Sequence, residues 1–346
     1  MFLYSRLPDY FFRCMEYFVN AYDAKVVVIR YRDDPNTQYA FNTSSNLQLV
    51  FKDEIDVGSF VEKVAPDVII LSNWNDKQYT AVCKRYIRRI PVVLALDNPY
   101  TGSAKQKILT MLAPLTINAI CNKAWVAGPA QYEYARRLGY KSADILLDLY
   151  SANDPCFREA YTRRCNNPAQ QFAKRILYVG RLVAYKQADI LASVFNELSA
   201  ANNEWTLIIA GEGPLKETLR AKNYRNVQLI SFISPSELPG FYEQGGVFCL
   251  PSQQEHWGVA VHEAGLAGLP LLLSDSVHSA ATFLKHGYNG YAFKTNDRNS
   301  LKIYLEELMN KDAETLNSMG SRSVSLATRI SKATWAASLN SVFTPA

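Results

Sequence analysis

Short runs rich in β-branched residues alternate with longer helix-patterned stretches along nearly the whole chain, and this alternation constrains the fold more than any other feature. Strands joined through helices pair most readily in parallel, with the helices covering the faces of the sheet. In the first half the strand runs are Phe2–Tyr4, Lys25–Arg30, Leu47–Phe51, Asp67–Leu71, Val92–Leu96, Ala124–Ala127 and Asp144–Leu147. Helical patterns cover Tyr10–Ala21, Lys77–Arg89, Lys105–Ile120 and Ala130–Leu138. Between Asn153 and Gln171 the pattern gives way to Pro, Asn, Cys and Gln, which reads as a linker. A second series follows, with strands Arg175–Val179, Trp205–Ala210, Val227–Leu229, Val247–Leu250 and Pro270–Leu273. Its helices are Lys186–Ala200, Pro214–Ala221, Ser236–Gln244 and Val259–Ala267, and helices over Ser300–Asn310, Ala313–Ala327 and Lys332–Val342 follow. The fold class is therefore α/β, with two separate parallel sheets facing across a cleft. Open sheets of this kind bind ligands at the carboxyl ends of their strands.

Composition narrows the field further. A chain of 346 residues exceeds one ordinary core, in keeping with two series of elements. Hydrophobic residues make up 48% and charged residues 20%, a globular balance. No apolar run reaches the roughly 20 residues of a membrane span, and Met1–Arg6 lacks the charged-then-apolar order of a signal peptide. The six cysteines are scattered without a C-x-x-C pair, so they read as reduced thiols of a cytoplasmic protein rather than a zinc site or a disulfide framework. Four histidines argue against a His-based metal centre. A formal charge of +5 is too mild for a nucleic-acid binder, yet suits a phosphate-bearing substrate. The densest basic run, Lys84-Arg85-Tyr86-Ile87-Arg88-Arg89, reads either as the solvated face of a helix or as a peripheral contact with anionic lipid headgroups.

Three stretches at strand ends carry chemistry. Strand Arg175–Val179 runs into Gly180-Arg181, with Lys186 five residues on; a guanidinium fork and an ammonium point charge there form a diphosphate clamp. Strand Trp205–Ala210 runs into Gly211-Glu212-Gly213-Pro214, whose glycines permit a tight turn and close approach to a ligand. The G-x-G-x-x-G fingerprint is not completed, because Lys216 stands at the third glycine, and no P-loop exists. The third stretch is Glu255-His256-Trp257-Gly258-Val259-Ala260-Val261-His262-Glu263. A helix starting near Gly258 aims unpaired N–H groups at an anion, and Glu263 lies about 7 Å further along that helix. Diphosphate and ribose of one nucleotide sugar are separated by about that distance. Taken singly, each of these residues also reads as an ordinary surface charge or turn glycine.

In order, Gly180-Arg181…Lys186, Gly211–Pro214, Pro251-Ser252, Glu255…Glu263 and Gly287-Tyr288-Asn289-Gly290-Tyr291 resemble the donor-binding half of glycosyltransferase family 4 over about residues 175 to 295. Weaker likenesses continue upstream at Ala65–Ile70, Pro91–Asn98 and Asn153–Phe157, and downstream in the last helix with Trp335. The resemblance implies the GT-B fold, made of two Rossmann-like domains. Residues 1–160 form an N-terminal acceptor-side domain and 170–330 a donor-binding domain, with 331–346 crossing back to the first. Departures are the absence of glycine in Ser5–Asp9, Asp97 where a His is common, His256-Trp257 where Gly or Ser precedes Phe, and no glycines in Asp275–Ser279.

The resemblance further implies a retaining, metal-independent transfer of a sugar from a UDP-sugar or GDP-mannose to a hydroxyl of a glycan or lipid-linked acceptor. Such a protein works in polysaccharide or glycoconjugate assembly, in the cytoplasm either free or at the inner face of the membrane, with the nucleoside diphosphate sugar as substrate and no cofactor. Arg181, Lys186 and the helix N–H groups near Gly258 and Val259 stabilise the departing diphosphate. Glu255 orients the donor sugar and Glu263 grips the ribose hydroxyls. Gly180, Gly211 and Gly213 approach the donor, Phe232 packs on the base or in the core, and His256 and Trp257 flank the sugar. Asp97 either assists the acceptor or caps its loop, and His262 is a packing residue. No Asp-x-Asp metal triplet occurs. A non-catalytic nucleotide-sugar scaffold and an epimerase of the same architecture are the competing readings.

Overall fold

The computed structural model describes residues 1–32, 41–167, 172–200 and 204–343. It divides into two units, Met1–Ser151 with Ile330–Ala346, and Ala152–Arg329.

The first unit is built on seven strands: β1 (Phe2–Leu3), β2 (Val26–Arg30), β3 (Leu47–Phe51), β4 (Ile69–Leu71), β5 (Val92–Leu96), β6 (Lys123–Val126) and β7 (Ile145–Leu146). Their order is β3-β2-β1-β4-β5-β6-β7, and every ladder is parallel. β5 reads Val-Val-Leu-Ala-Leu and is buried along its whole length, as a strand covered on both faces must be. Helix Asp9–Tyr22 buries Phe11, Phe12, Met15, Phe18 and Val19, a stripe at helical spacing. The helix Val57–Val64 was not expected from the sequence; Asp56 caps it, accepting from the Ser59 N–H at 2.8 Å. The expected helix Lys105–Ile120 is shorter, Ala104–Leu112, followed by a 3-10 turn at Ala113–Leu115 that contains Pro114.

Helix Lys332–Asn340, near the end of the chain, belongs to this first unit. Ser331 and Thr334 form a capping box at its start. It is anchored by Trp335, fully buried, whose ring centroid lies 4.8 Å from Trp125 and 5.3 Å from Phe11. The Trp335 indole N–H donates to the Leu149 carbonyl at 2.9 Å.

The second unit carries β8 (Arg175–Val179), β9 (Thr206–Ala210), β10 (Val227–Ile230), β11 (Val247–Leu250), β12 (Leu271–Ser274) and β13 (Gly290–Phe293), again all parallel, in the order β10-β9-β8-β11-β12-β13. β13 was expected only as a turn. Its Gly290 has φ +154°, and a Cβ there would fall 1.9 Å from the Leu271 carbonyl oxygen, so the glycine serves strand contact.

The expected linker is also different. Asp154–Cys165 is a helix with Pro155 in its first turn, and it belongs to the second unit, so residues 152–160 do not extend the first domain. It buries only Phe157 and Ala160, too little apolar stripe to register as helical periodicity. Arg164 fixes it by donating to the carbonyls of Tyr242 at 3.3 Å and Gly268 at 2.8 Å. Residues 168–171 of that expected linker lie outside the described residues. Among the described residues no helix is long and apolar enough to cross a membrane.

Trp335→Ala removes a fully buried indole and its hydrogen bond. Urea denaturation is expected to show a loss of about 3–5 kcal/mol in the first unit's stability, and a loss under about 1 kcal/mol would show that the last helix is dispensable to that core.

Candidate functional site

Three loops meet at the carboxyl edge of the second sheet because β8 lies between β9 and β11. The loop after β8 bonds to the loop after β9 through backbone: the Leu182 N–H donates to Glu212 O at 2.8 Å and the Leu215 N–H to Leu182 O at 3.0 Å. The glycines of Gly211-Glu212-Gly213 are required by this approach. A Cβ on Gly211 would sit 1.9 Å from Gly180 O, and one on Gly213 2.5 Å from Leu182 O. Gly211 and Gly213 therefore serve loop-to-loop packing first, whereas a Cβ on Gly180 would meet only the Tyr178 side chain, at 3.1 Å from its hydroxyl. On the other side, the Gln253 N–H donates to Tyr185 O at 2.7 Å, joining the loop after β11 to the loop after β8.

This stitching brings Lys186 and Glu255 together. The Lys186 ammonium forms an ion pair with Glu255 Oε2, and the two side chains are only 11% and 14% exposed. Lys186 occupies a 3-10 turn, Ala184–Lys186, ahead of helix Ala188–Ser199. Arg181 stays on the rim, where its guanidinium donates to the Tyr185 hydroxyl and lies 5.8 Å from that ring's centroid. The Lys186 ammonium lies 5.7 Å from the same ring, so Tyr185 contacts both cations of the clamp. Beneath them, the Tyr178 hydroxyl donates to Arg181 O at 3.0 Å. Burial holds the Tyr178 hydroxyl protonated well beyond the usual tyrosine range, and the nearby Glu255 charge adds to the effect.

Helix Val259–Leu266 begins beside this pair. Gly258 caps it with φ +89°, and a Cβ on Gly258 would press on Glu255 Cγ at 3.0 Å. No side chain caps this helix start, and Val259 and Ala260 occupy its first turn, where backbone N–H groups have no intrahelical acceptor.

The intervening residues divide in two. His256 is exposed. Trp257 is buried, its ring 5.9 Å from Phe283 and edge-on to it, and its indole N–H has no hydrogen-bond partner. The expectation that Trp257 flanks the donor is corrected: its apolar bulk places it in the core. His262 is also fully buried, stacked on Phe283 at 4.4 Å. Its Nδ1 accepts from the Ala152 N–H at 3.1 Å, so Nε2 carries the proton and donates to Ala327 O at 3.0 Å. Glu263 lies one turn further along the helix, nearly buried, and accepts from the Tyr242 hydroxyl at 3.4 Å. Phe232 does not enter the core; half of its surface is exposed, in the loop after β10.

Two residues escape the sequence reading. Tyr185 was visible beside Lys186 as an aromatic neighbour of two cations. His278 had no local signal. The parallel bridge Glu255↔Val277 carries it alongside His256, and burial, then the charge of His256, depresses its pKa while Glu255 opposes the shift. Asp97 belongs to the first unit, following β5. It accepts from the Tyr150 hydroxyl at 3.2 Å, while its backbone carbonyl accepts from Gln131 at 3.0 Å.

Residues 164–324 match the family model for glycosyl transferases group 1. The group 1 segment contains all three loops just described. An uncharacterized glycosyltransferase of Haemophilus influenzae is 31% identical over 148 residues, 42% of this chain and 42% of its own length. The sulfoquinovosyl transferase of Arabidopsis thaliana is 25% identical over 282 residues, 76% of this chain and 53% of its own length. The chain thus spans about half or less of the length of these relatives. Among solved structures, Anabaena HepE in complex with UDP superposes with a TM-score of 0.74 at 15% identity, covering 99% of this chain and 98% of that one. Sucrose-phosphate synthase from Thermosynechococcus elongatus gives 0.72 with the same coverage and identity. The fold is GT-B along the whole chain.

Trp257→Phe keeps the edge-on ring contact and removes an orphaned donor, so it is expected to cost less than about 1 kcal/mol of stability and to leave nucleotide affinity within about twofold of wild type. A large loss of nucleotide affinity in titration calorimetry, with the melting temperature unchanged, would return Trp257 to the binding surface.

Proposed function

We propose that this protein is a retaining glycosyltransferase that moves a sugar from a nucleoside diphosphate sugar to a hydroxyl of a glycan or lipid-linked acceptor, without a metal ion. The observation that carries this reading is the Lys186–Glu255 pair, held at the carboxyl edge of the second sheet beside the open start of helix Val259–Leu266. The group 1 match over the same loops supports it. UDP is the favoured nucleotide, since GT-B neighbours of this chain were solved with UDP, with UDP and glucose, and with UDP-glucose.

The chemistry follows from charge. As the glycosidic bond breaks, negative charge grows on the diphosphate and positive charge on the sugar ring. Lys186, Arg181 and the first-turn N–H groups of Val259 and Ala260 are fixed in place before the reaction, so they stabilise the departing diphosphate without reorganising. Glu255 serves in two ways, holding the Lys186 ammonium and accepting from hydroxyls of the donor sugar. Glu263, braced by the Tyr242 hydroxyl, accepts from the ribose. Phe232, exposed after β10, is placed to cover the base. His256, together with His278, lines the sugar side. Asp97 is held by Tyr150, which suits a loop-ordering role better than a mobile base.

The test is calorimetric titration of UDP, GDP and UDP-sugars, with and without chelator, followed by transfer assays. Lys186→Ala is expected to lower kcat/KM by about 10²–10³-fold in assays run well below its melting temperature, and to lower that melting temperature as well, because Glu255 is left as an uncompensated, largely buried charge. Absence of binding by any nucleoside diphosphate would overturn the assignment, and binding without transfer to any acceptor would leave a binding protein. Retention is read separately. Proton NMR of early product is expected to show the donor's anomeric configuration, and an inverted linkage would refute that part of the mechanism.

A further inference from the structure

In the first unit, helix Ala104–Leu112 and the 3-10 turn after it are amphipathic the wrong way round. Ile108, Met111, Leu112 and Leu115 are 55%, 73%, 40% and 80% exposed. They fall at i, i+3, i+4 and i+7, so they form one stripe, and no residue of the helix itself is fully buried. Single exposed apolar residues are ordinary, whereas a contiguous stripe of four marks a surface built to be covered.

Charge indicates what covers it. Residues 77–120 contain seven Lys or Arg and one acid, Asp97. All seven cations, Lys77, Lys84, Arg85, Arg88, Arg89, Lys105 and Lys107, are exposed. An open groove of about 800 Å³ runs between the two basic stretches, with Lys84 and Lys105 beside Ile108, Leu112 and Leu115 in its lining. A second copy of this chain would bring the same positive field against itself, which disfavours self-pairing. A nucleic acid would use the cations but leave the apolar stripe in water.

We propose that this face docks on a bilayer surface rich in anionic phospholipid, with Met111 and Leu115 entering the acyl boundary and the lysines and arginines at the phosphate level. Stable peripheral attachment takes two signals, apolar insertion and a polybasic patch, and both are present on this face. The inference is independent of the donor site in the second unit.

The test is vesicle flotation of the full chain, with phosphatidylcholine vesicles and with vesicles containing phosphatidylglycerol. The protein is expected to float with the anionic vesicles only, and rising salt is expected to release it. Met111→Glu with Leu115→Glu, and separately Lys105→Glu with Lys107→Glu, are each expected to weaken partitioning at least about tenfold, since each cation near an anionic surface is worth about fivefold. These side chains are exposed, so far-UV circular dichroism and melting should match wild type. The proposal is overturned if wild type floats with neither vesicle, or if both double variants float as well as wild type. It is also overturned if wild type sediments as a dimer that M111E/L115E dissociates, since the stripe would then be covered by a second copy.

Discussion

The candidate site depends on one constraint: every ladder in the second sheet is parallel, so all strand carboxyl ends open on one edge. β8 has β9 on one side and β11 on the other, and the loops that follow these three strands cannot avoid one another. The chain converts that neighbourhood into a fixed frame with backbone hydrogen bonds, from Leu182 to Glu212 and from Gln253 to Tyr185. Gly211 and Gly213 are the cost of the frame, since any side chain there would strike the carbonyls of Gly180 or Leu182. A turn of Gly-x-Gly after a strand thus need not touch a ligand to be indispensable. It sets how closely the neighbouring loop can approach.

Within that frame the Lys186–Glu255 pair is mostly removed from water, and its energetics are not those of a surface salt bridge. Desolvating two charges is costly, and a buried pair often contributes little net stability. Removing one partner is different, because the other is left as an uncompensated charge. On the proposed function, the pair keeps an ammonium where an anion would arrive. In that role Glu255 stabilises Lys186 in the empty site, and a diphosphate would bring its own negative charge on binding. The adjoining start of helix Val259–Leu266 adds partial positive charge at the same place.

How legible this was in the sequence depends on which physical signal each residue leaves. The two parallel sheets were readable because buried parallel strands are nearly continuous apolar runs, as β5 and β11 show. Helix Asp154–Cys165 was not readable, because it buries too few side chains for periodicity to stand out from its Arg and Glu residues. β13 was mistaken for a turn because the glycine that begins it is forced by contact with Leu271 rather than by chain reversal. Lys186 and Glu255 were legible as separate charges at strand ends, but their direct pairing was not, since it comes from a backbone bond between distant loops. His278 left no trace, because it reaches His256 only through the bridge of Glu255 to Val277.

Within the nine residues from Glu255 to Glu263, helical geometry and core packing fix different positions. Gly258 starts the helix and Glu263 follows a little over one turn later, so helical geometry fixes the distance between the anion-facing N–H groups and the second carboxylate. Trp257 points the other way and packs on Phe283, where an aromatic ring of any kind fills volume. Its burial makes Trp257 a residue of core packing. His256 is exposed on the opposite side of that partition, with His278 beside it in register. Of the two residues after Glu255, only the histidine reaches the surface, so on the proposed function it is the one of the two that a donor sugar would meet.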